Sequence, residues 1–306
     1  MNTTKNTDSN LMKYLRWVFI IAWTMQVAVW MLYQNGGRSE GQLLMAVMMY
    51  VPLIAVLISG EKLNGMGWKP KLKGNIGTLL FAWFAPTVLT AIGAVIYFLI
   101  FSKHLDLTGQ YILSASGDAG TAALKELDNQ GISYFQYILI TSASASLYAP
   151  FLNMFAAIGE EAGWRGYMQP VLNEKFGRTK GIIIGGIIWG MWHWPIIGLI
   201  GYEYGSNYFG YPVTGMLLFC VFTIAMGILC EMVYEKSGCI WFPAILHGSI
   251  NAAATIPIAL CVPDTGSFRL LGPAPNGLLA GLPLFIVAGL VFKSRYASSK
   301  EKQSEF

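Results

Sequence analysis

Residues 77–101 read G-T-L-L-F-A-W-F-A-P-T-V-L-T-A-I-G-A-V-I-Y-F-L-I-F, twenty-five residues without a single Lys, Arg, Asp or Glu. About 20 apolar residues of helix cross a bilayer core, so this stretch is a membrane span. The rest of the chain repeats the pattern. Of 306 residues 55% are hydrophobic and only 12% are charged, about half the charge content of a soluble domain. Spans are expected at about 14–33, 42–60, 77–101, 141–168, 181–200, 214–234, 239–262 and 276–293. The expectation is an all-α polytopic membrane bundle of about eight helices, forming a single membrane-embedded domain over 1–306. A long extracytoplasmic loop is expected at about 102–140, and no soluble domain. The first apolar stretch is too long for a signal-peptide core and has no small-residue cleavage site after it.

Basic residues give the orientation. With the N-terminus in the cytoplasm, 16 of the 20 Lys and Arg fall on cytoplasmic segments, including Lys62, Lys69, Lys71, Lys73, Lys175, Arg178, Lys300 and Lys302. Only Arg38, Lys103, Lys125 and Arg269 fall outside. The positive-inside rule therefore expects both termini in the cytoplasm, and the net charge of +4 needs no nucleic-acid partner. The lysines around Lys69 and Lys71 would also attract anionic membrane lipid. Cys220, Cys230, Cys239 and Cys261 form no C-x-x-C and are expected as buried hydrophobes. The outer-loop aromatics Tyr202, Tyr204, Tyr208, Phe209 and Tyr211 are expected as an interfacial belt.

Against this apolar background an ionisable side chain costs at least ~2.5–3.5 kcal/mol at the bilayer centre, so each one is a candidate for function. The spans hold Glu160, Glu161, Arg165, His193, Glu231 and His247. Glu161 and Arg165 are four apart and share a helix face. Glu160 is turned about 100° away and should find other partners. His247 and Asn251 are also four apart. His193 stands two residues before Pro195, where a helix carbonyl loses its usual donor. Glu231, near a span end, is expected to snorkel, and His104 to be solvated. At ~1.5 Å per residue, Glu160, His193, His247 and Asn251 all come to ~12–18 Å from the basic side, provided the fourth span continues to about Met168. They would then share one recessed, cytoplasm-facing cavity.

Several chemistries remain open for that cavity. Glu160 with His193 can activate a water, while His247 and Asn251 donate to an oxyanion. A zinc site of Glu160, His193 and His247 is chemically possible, although H-E-x-x-H is absent. Haem ligation by the two histidines leaves the glutamate pair unexplained, and a transporter reading finds no inverted repeat.

The ordered motifs Glu160-Glu161-x-x-x-Arg165, Trp189-x-x-x-His193 and His247-x-x-x-Asn251 resemble those of the CAAX prenyl protease and bacteriocin-processing family of intramembrane endopeptidases. The surrounding E-K-S-G-C-I-W-F-P-A-I-L-H-G-S-I-N is similar as well. The resemblance covers about 136–255, with Trp189 where the family usually has Phe. It implies an eight-helix, glutamate-type protease without a required cofactor, zinc remaining possible. Glu160 and His193 would be catalytic, His247 and Asn251 the oxyanion site, Glu161 and Arg165 the support. The implied partner is a peptide or protein, possibly lipidated, cleaved near its membrane-associated end at the cell (plasma) membrane. The family also includes members proposed to act without catalysis, in bacteriocin immunity or as membrane scaffolds.

Overall fold

A computed structural model of the chain describes residues 2–297, with side chains from 9 to 296. Among these residues there is no strand, only an isolated bridge between Leu105 and Cys261. The helices are α1 (Asn2–Gln34), α2 (Arg38–Met48), α3 (Val51–Ile58), α4 (Ile76–Ile100), α5 (Gln110–Asn129), α6 (Tyr134–Leu147) and α7 (Ala149–Gly163). They continue with α8 (Gln169–Phe176), α9 (Arg178–Trp192), α10 (Trp194–Ile200), α11 (Val213–Ser237), α12 (Trp241–Ala259) and α13 (Leu282–Phe292). Lys300 and Lys302, counted in the charge bias, lie outside the described residues.

Among the described residues five helices are long and apolar enough to cross a membrane, or up to seven if the two bent pairs, α2–α3 and α6 through α8, each form one span. The polytopic all-α bundle is thus as expected. These seven coincide with the first seven expected spans. The eighth expectation, 276–293, shortens to the 11-residue α13, because the glycine- and proline-rich stretch before it turns rather than coils. The stretch 102–140 is not an open loop: it contains α5 and the start of α6. Asp106 anchors the start of α5 by accepting hydrogen bonds from the backbone N–H groups of Thr108 (3.0 Å), Gly109 (2.9 Å) and Gln110 (2.7 Å).

Prolines decide where the spans break. Pro52, Pro150 and Pro195 each sit in the first turn of the second piece of a broken helix, where a missing N–H costs nothing. The resulting bends are 45° between α2 and α3 and 52° between α6 and α7. Pro170 acts differently. It lies in the first turn of α8, directly after a π-helical turn, Trp164–Met168, in which the N–H of Gln169 reaches back to the carbonyl of Trp164. The helix therefore does not stop near Met168 but runs on to Phe176.

α12 is the central pillar, packed against α4, α6, α7 and α11. Its contact with α7 is close because residue 248 has no side chain. A Cβ there would stand 2.6 Å from the carbonyl oxygen of Pro150 and 2.8 Å from the nitrogen of Met154. Gly163 does the same for α7 against Pro52 of α3.

The two ends of the bundle are distinct. At one, Ile240 N–H donates to the Gly67 carbonyl (3.2 Å), the Trp241 indole to the Trp68 carbonyl (2.8 Å), and Arg178 pairs with Glu235. At the other, Asp106 N–H donates to the Leu260 carbonyl (2.8 Å), and the Asn207 amide to Asp264 (2.9 Å). The aromatics of residues 202–211 are not a belt. Tyr204 and Tyr208 are buried, packing with Phe219 in a cluster at this second end, and only Phe209 projects fully. His104 is not simply solvated either, since its Nδ1 meets the Tyr97 hydroxyl at 2.8 Å. All four cysteines are free and buried.

Gly248→Val should push α12 off α7. The expected loss is about 1–3 kcal/mol or more, read as a lower unfolding midpoint in detergent; an unchanged midpoint would contradict the close backbone contact.

Candidate active site

Polar residues from two broken spans and from α12 meet at one cavity of about 360 Å³. Glu160 reaches it from α7, His193 from the α9–α10 break, and His247 and Asn251 from α12. Met45 and Met49 of the bent second span, with Phe219, Phe222 and Met226 of α11, supply apolar wall. All four residues singled out in the sequence thus line the same space.

The two adjacent glutamates do separate, as their 100° offset requires. Glu160 is 2% exposed, and its Oε2 accepts two indole hydrogen bonds, from Trp189 Nε1 at 2.7 Å and Trp164 Nε1 at 3.1 Å. Its Oε1 has no hydrogen-bond partner among the described residues. Glu161 is fully buried, and its Oε1 meets both Arg165 Nη1 (3.1 Å) and His247 Nδ1 (2.9 Å). The Arg165 guanidinium also lies over the Trp189 ring, 4.3 Å from its centroid. That placement adds a cation–π contact in a desolvated site.

His193 owes its orientation to the helix break. Its backbone N–H turns to the Gly190 carbonyl (3.0 Å) instead of Trp189. The Trp189 carbonyl so released meets the His193 Nδ1 at 3.0 Å. A carbonyl only accepts, so Nδ1 carries the proton and Nε2 keeps its lone pair. The carbonyl is therefore that of Trp189, not the one Pro195 leaves unpaired. Asn251 is exposed to the cavity.

Sequence reasoning missed several parts. Trp164 stands one helical turn after Glu160, and that spacing could have flagged it. Trp189, noted only as a replacement for Phe, supplies an N–H that Phe lacks. The Glu161–His247 bond joins residues 86 apart and has no local signal. Tyr202, Glu203 and Asn276 also reach the cavity wall. Burial pushes the Glu203 carboxyl up from its usual range, only partly offset by Tyr202, Arg269 and Asn276. Glu231 does not snorkel; it is 5% exposed and accepts from the Asn173 amide at 3.2 Å.

No group of three His, Cys, Asp or Glu side chains among the described residues is placed to hold an ion. Glu160 Oε2 accepts from two indoles and both histidines place Nδ1 against protein acceptors, so an ion would have to be held by Glu160 Oε1 and the two Nε2 atoms.

The cavity also runs in an unexpected direction. Its wall extends to Tyr202, Glu203, Ile258 and Asn276 at the second end of the bundle, and takes nothing from the lysine-rich segment 59–75 or from 168–180. Toward the basic end it is closed by the buried Glu161–Arg165–His247 cluster. The lining thus runs toward the second end of the bundle rather than toward the basic segments.

Residues 142–253 match the family described as Type II CAAX prenyl endopeptidase Rce1-like. This segment, a little over a third of the chain, is similar to that family. Glu160, Glu161, Arg165, His193, His247 and Asn251 all lie inside the matched segment. The chain is also similar to CAAX prenyl protease 2 of Methanococcus maripaludis, 33% identical over 102 residues, which is 33% of this chain and 37% of that protein. The similarity thus spans little more than a third of that relative's length. α1 to α5 and α13 fall outside the matched segment.

Arg165→Met would strand the Glu161 carboxylate in the interior, at a cost of about 3–5 kcal/mol. Adding Glu161→Gln should recover much of that loss, because the stranded charge is gone. Additive losses in unfolding midpoint for the two changes would contradict the pairing.

Proposed function

We propose that this chain is an intramembrane endopeptidase in which Glu160 and His193 activate a water for attack on a peptide carbonyl. The observation that carries this reading is the division of labour at the paired carboxylates. Glu161 is fixed by Arg165 and His247, while Glu160 keeps one oxygen free beside the cavity. The His193 Nε2, left as an acceptor by the Nδ1 anchor, is the second base.

In the proposed reaction the water gives up a proton to the Glu160–His193 pair as its oxygen bonds to the carbonyl carbon. The carbonyl π-electrons move to oxygen, and the oxyanion takes hydrogen bonds from the Asn251 amide and from the Nε2–H of His247 held as the imidazolium, its Nδ1–H going to the Glu161 carboxylate. Such donors contribute about 2.7–4 kcal/mol each when preorganised in a dry site. Collapse re-forms the carbonyl and breaks the C–N bond, and the stored proton passes to the leaving amine. No step needs a metal.

Helices apolar enough to cross the membrane and a match to an endopeptidase family support the reading at the level of enzyme class. The methionine- and phenylalanine-rich wall fits an apolar or lipidated residue near the scissile bond, and the substrate is a peptide or protein at the cell membrane. Lipid-anchored substrates follow from the same wall by its chemistry.

Glu160→Ala and His193→Ala should each abolish cleavage, with insertion and detergent melting retained. The direct measurement compares membrane proteomes of cells making wild type or Glu160→Ala. Proteins that are shortened only by wild type are the substrates. Identical proteomes would leave the chain a non-catalytic scaffold or immunity protein. A fully chelated wild-type sample should keep its activity; loss of activity with rescue by zinc would overturn the metal-free mechanism.

A further inference from the structure

The catalytic cavity meets a second cavity, of about 550 Å³, at Tyr202, Glu203 and Ile258, which line both. The second cavity is an outer vestibule formed by residues 201–207 and 263–269, at the end of the bundle away from the lysine-rich segments. Glu203 stands at the neck between the two. It is the one non-glycine residue with positive φ (69°) among the described residues. Such a backbone is strained for a residue with a Cβ and is held only when its surroundings fix it. Here they do. The Asn276 amide donates to Glu203 Oε2 at 2.7 Å from across the neck, and the Arg269 Nε donates to the Glu203 carbonyl at 3.4 Å. Asn276 is itself fixed, its carbonyl accepting from the Tyr204 hydroxyl at 3.0 Å.

The two ends differ sharply in charge. The segments 59–75, 168–180, 234–240 and 292–297 carry ten Lys and Arg against three carboxylates. The vestibule end, formed by 35–41, 101–133, 201–212 and 260–281, carries four Lys and Arg against seven carboxylates. Segments rich in Lys and Arg stay in the cytoplasm. The chamber, closed toward the basic end and continuous with the vestibule, then faces the other way.

We infer that the catalytic chamber is loaded from the extracytoplasmic side, through a neck that the Glu203 side chain narrows, so that its substrates are extracytoplasmic polypeptide segments rather than cytosolic ones. As a statement about substrates this rests on the proteolytic reading; as a route of access it does not.

The test is thiol accessibility in intact cells, which needs no catalysis and works equally in a Glu160→Ala background. The probe is a permanently charged, membrane-impermeant methanethiosulfonate, which cannot arrive through the lipid. The native cysteines are buried, so single thiols are added at Ala254 in the chamber wall, Ser206 in the vestibule and Lys71 at the basic end. Thr255→Cys is the second chamber position should Ala254→Cys not fold. Ser206→Cys and Ala254→Cys should be modified in intact cells, and Lys71→Cys only after permeabilisation. Glu203→Gly suits the φ of 69° and removes the obstructing side chain. It should speed modification at residue 254 at least several-fold and leave residue 206 unchanged. The reverse labelling, Lys71→Cys reactive and Ala254→Cys protected until permeabilisation, overturns the sidedness. A rate at residue 254 indifferent to Glu203→Gly overturns the neck.

Discussion

A single carboxylate with two partners holds the site together. Glu161, buried and 3.1 Å from Arg165 and 2.9 Å from His247, ties the end of α7 to the middle of α12. A charge in that position is tolerable only if it is paired, because desolvation costs several kcal/mol per ion. Satisfying it fixes the register of the two helices, the rotamer of His247 and the position of the guanidinium over Trp189. Trp189 in turn donates to Glu160 and releases its carbonyl to His193. Glu160, His193 and His247 are therefore linked through one chain of contacts. Disturbing any member shifts the others.

The apolar packing has to permit that cluster. Gly248 lets α12 approach the first turns of α7, and Gly163 lets α7 approach α3. Without a hydrophobic drive between helices in lipid, such close backbone contact is how spans adhere. The proline breaks then open space beside the cluster. Each of the three broken spans contributes wall or functional residues: Met45 and Met49, and His193, beside their breaks, and Glu160 further along α7. A bundle of straight helices from the same composition would have closed over the polar residues and left no cavity.

Much of this was legible beforehand. Charge-free runs gave seven of the spans, since hydrocarbon tolerates little else. The i, i+4 spacing gave the Glu161–Arg165 pair and the divergence of Glu160, because helix geometry is local. The ordered motifs gave the resemblance that the match over residues 142–253 repeats. Expectations failed where local geometry was not in charge. Glu231 was expected to reach water, but Asn173, 58 residues earlier, keeps it inside. His104 and the tyrosines of 202–211 were placed at a solvated surface, but they face aromatic neighbours contributed by other helices.

The sequence by itself determined the solvent and the material: a lipid-embedded helical protein with a few costly polar side chains in spans that otherwise exclude them. Spacing along one helix is enough for that. Which indoles hold Glu160, which atom of His193 stays free, and which end of the bundle the cavity reaches were decided only by tertiary structure. These depend on contacts between residues tens of positions apart, and on bends of 45° and 52° whose direction no single segment encodes. The lysines mark one end of the bundle, and only the packed helices place the cavity's lining toward residues at the other.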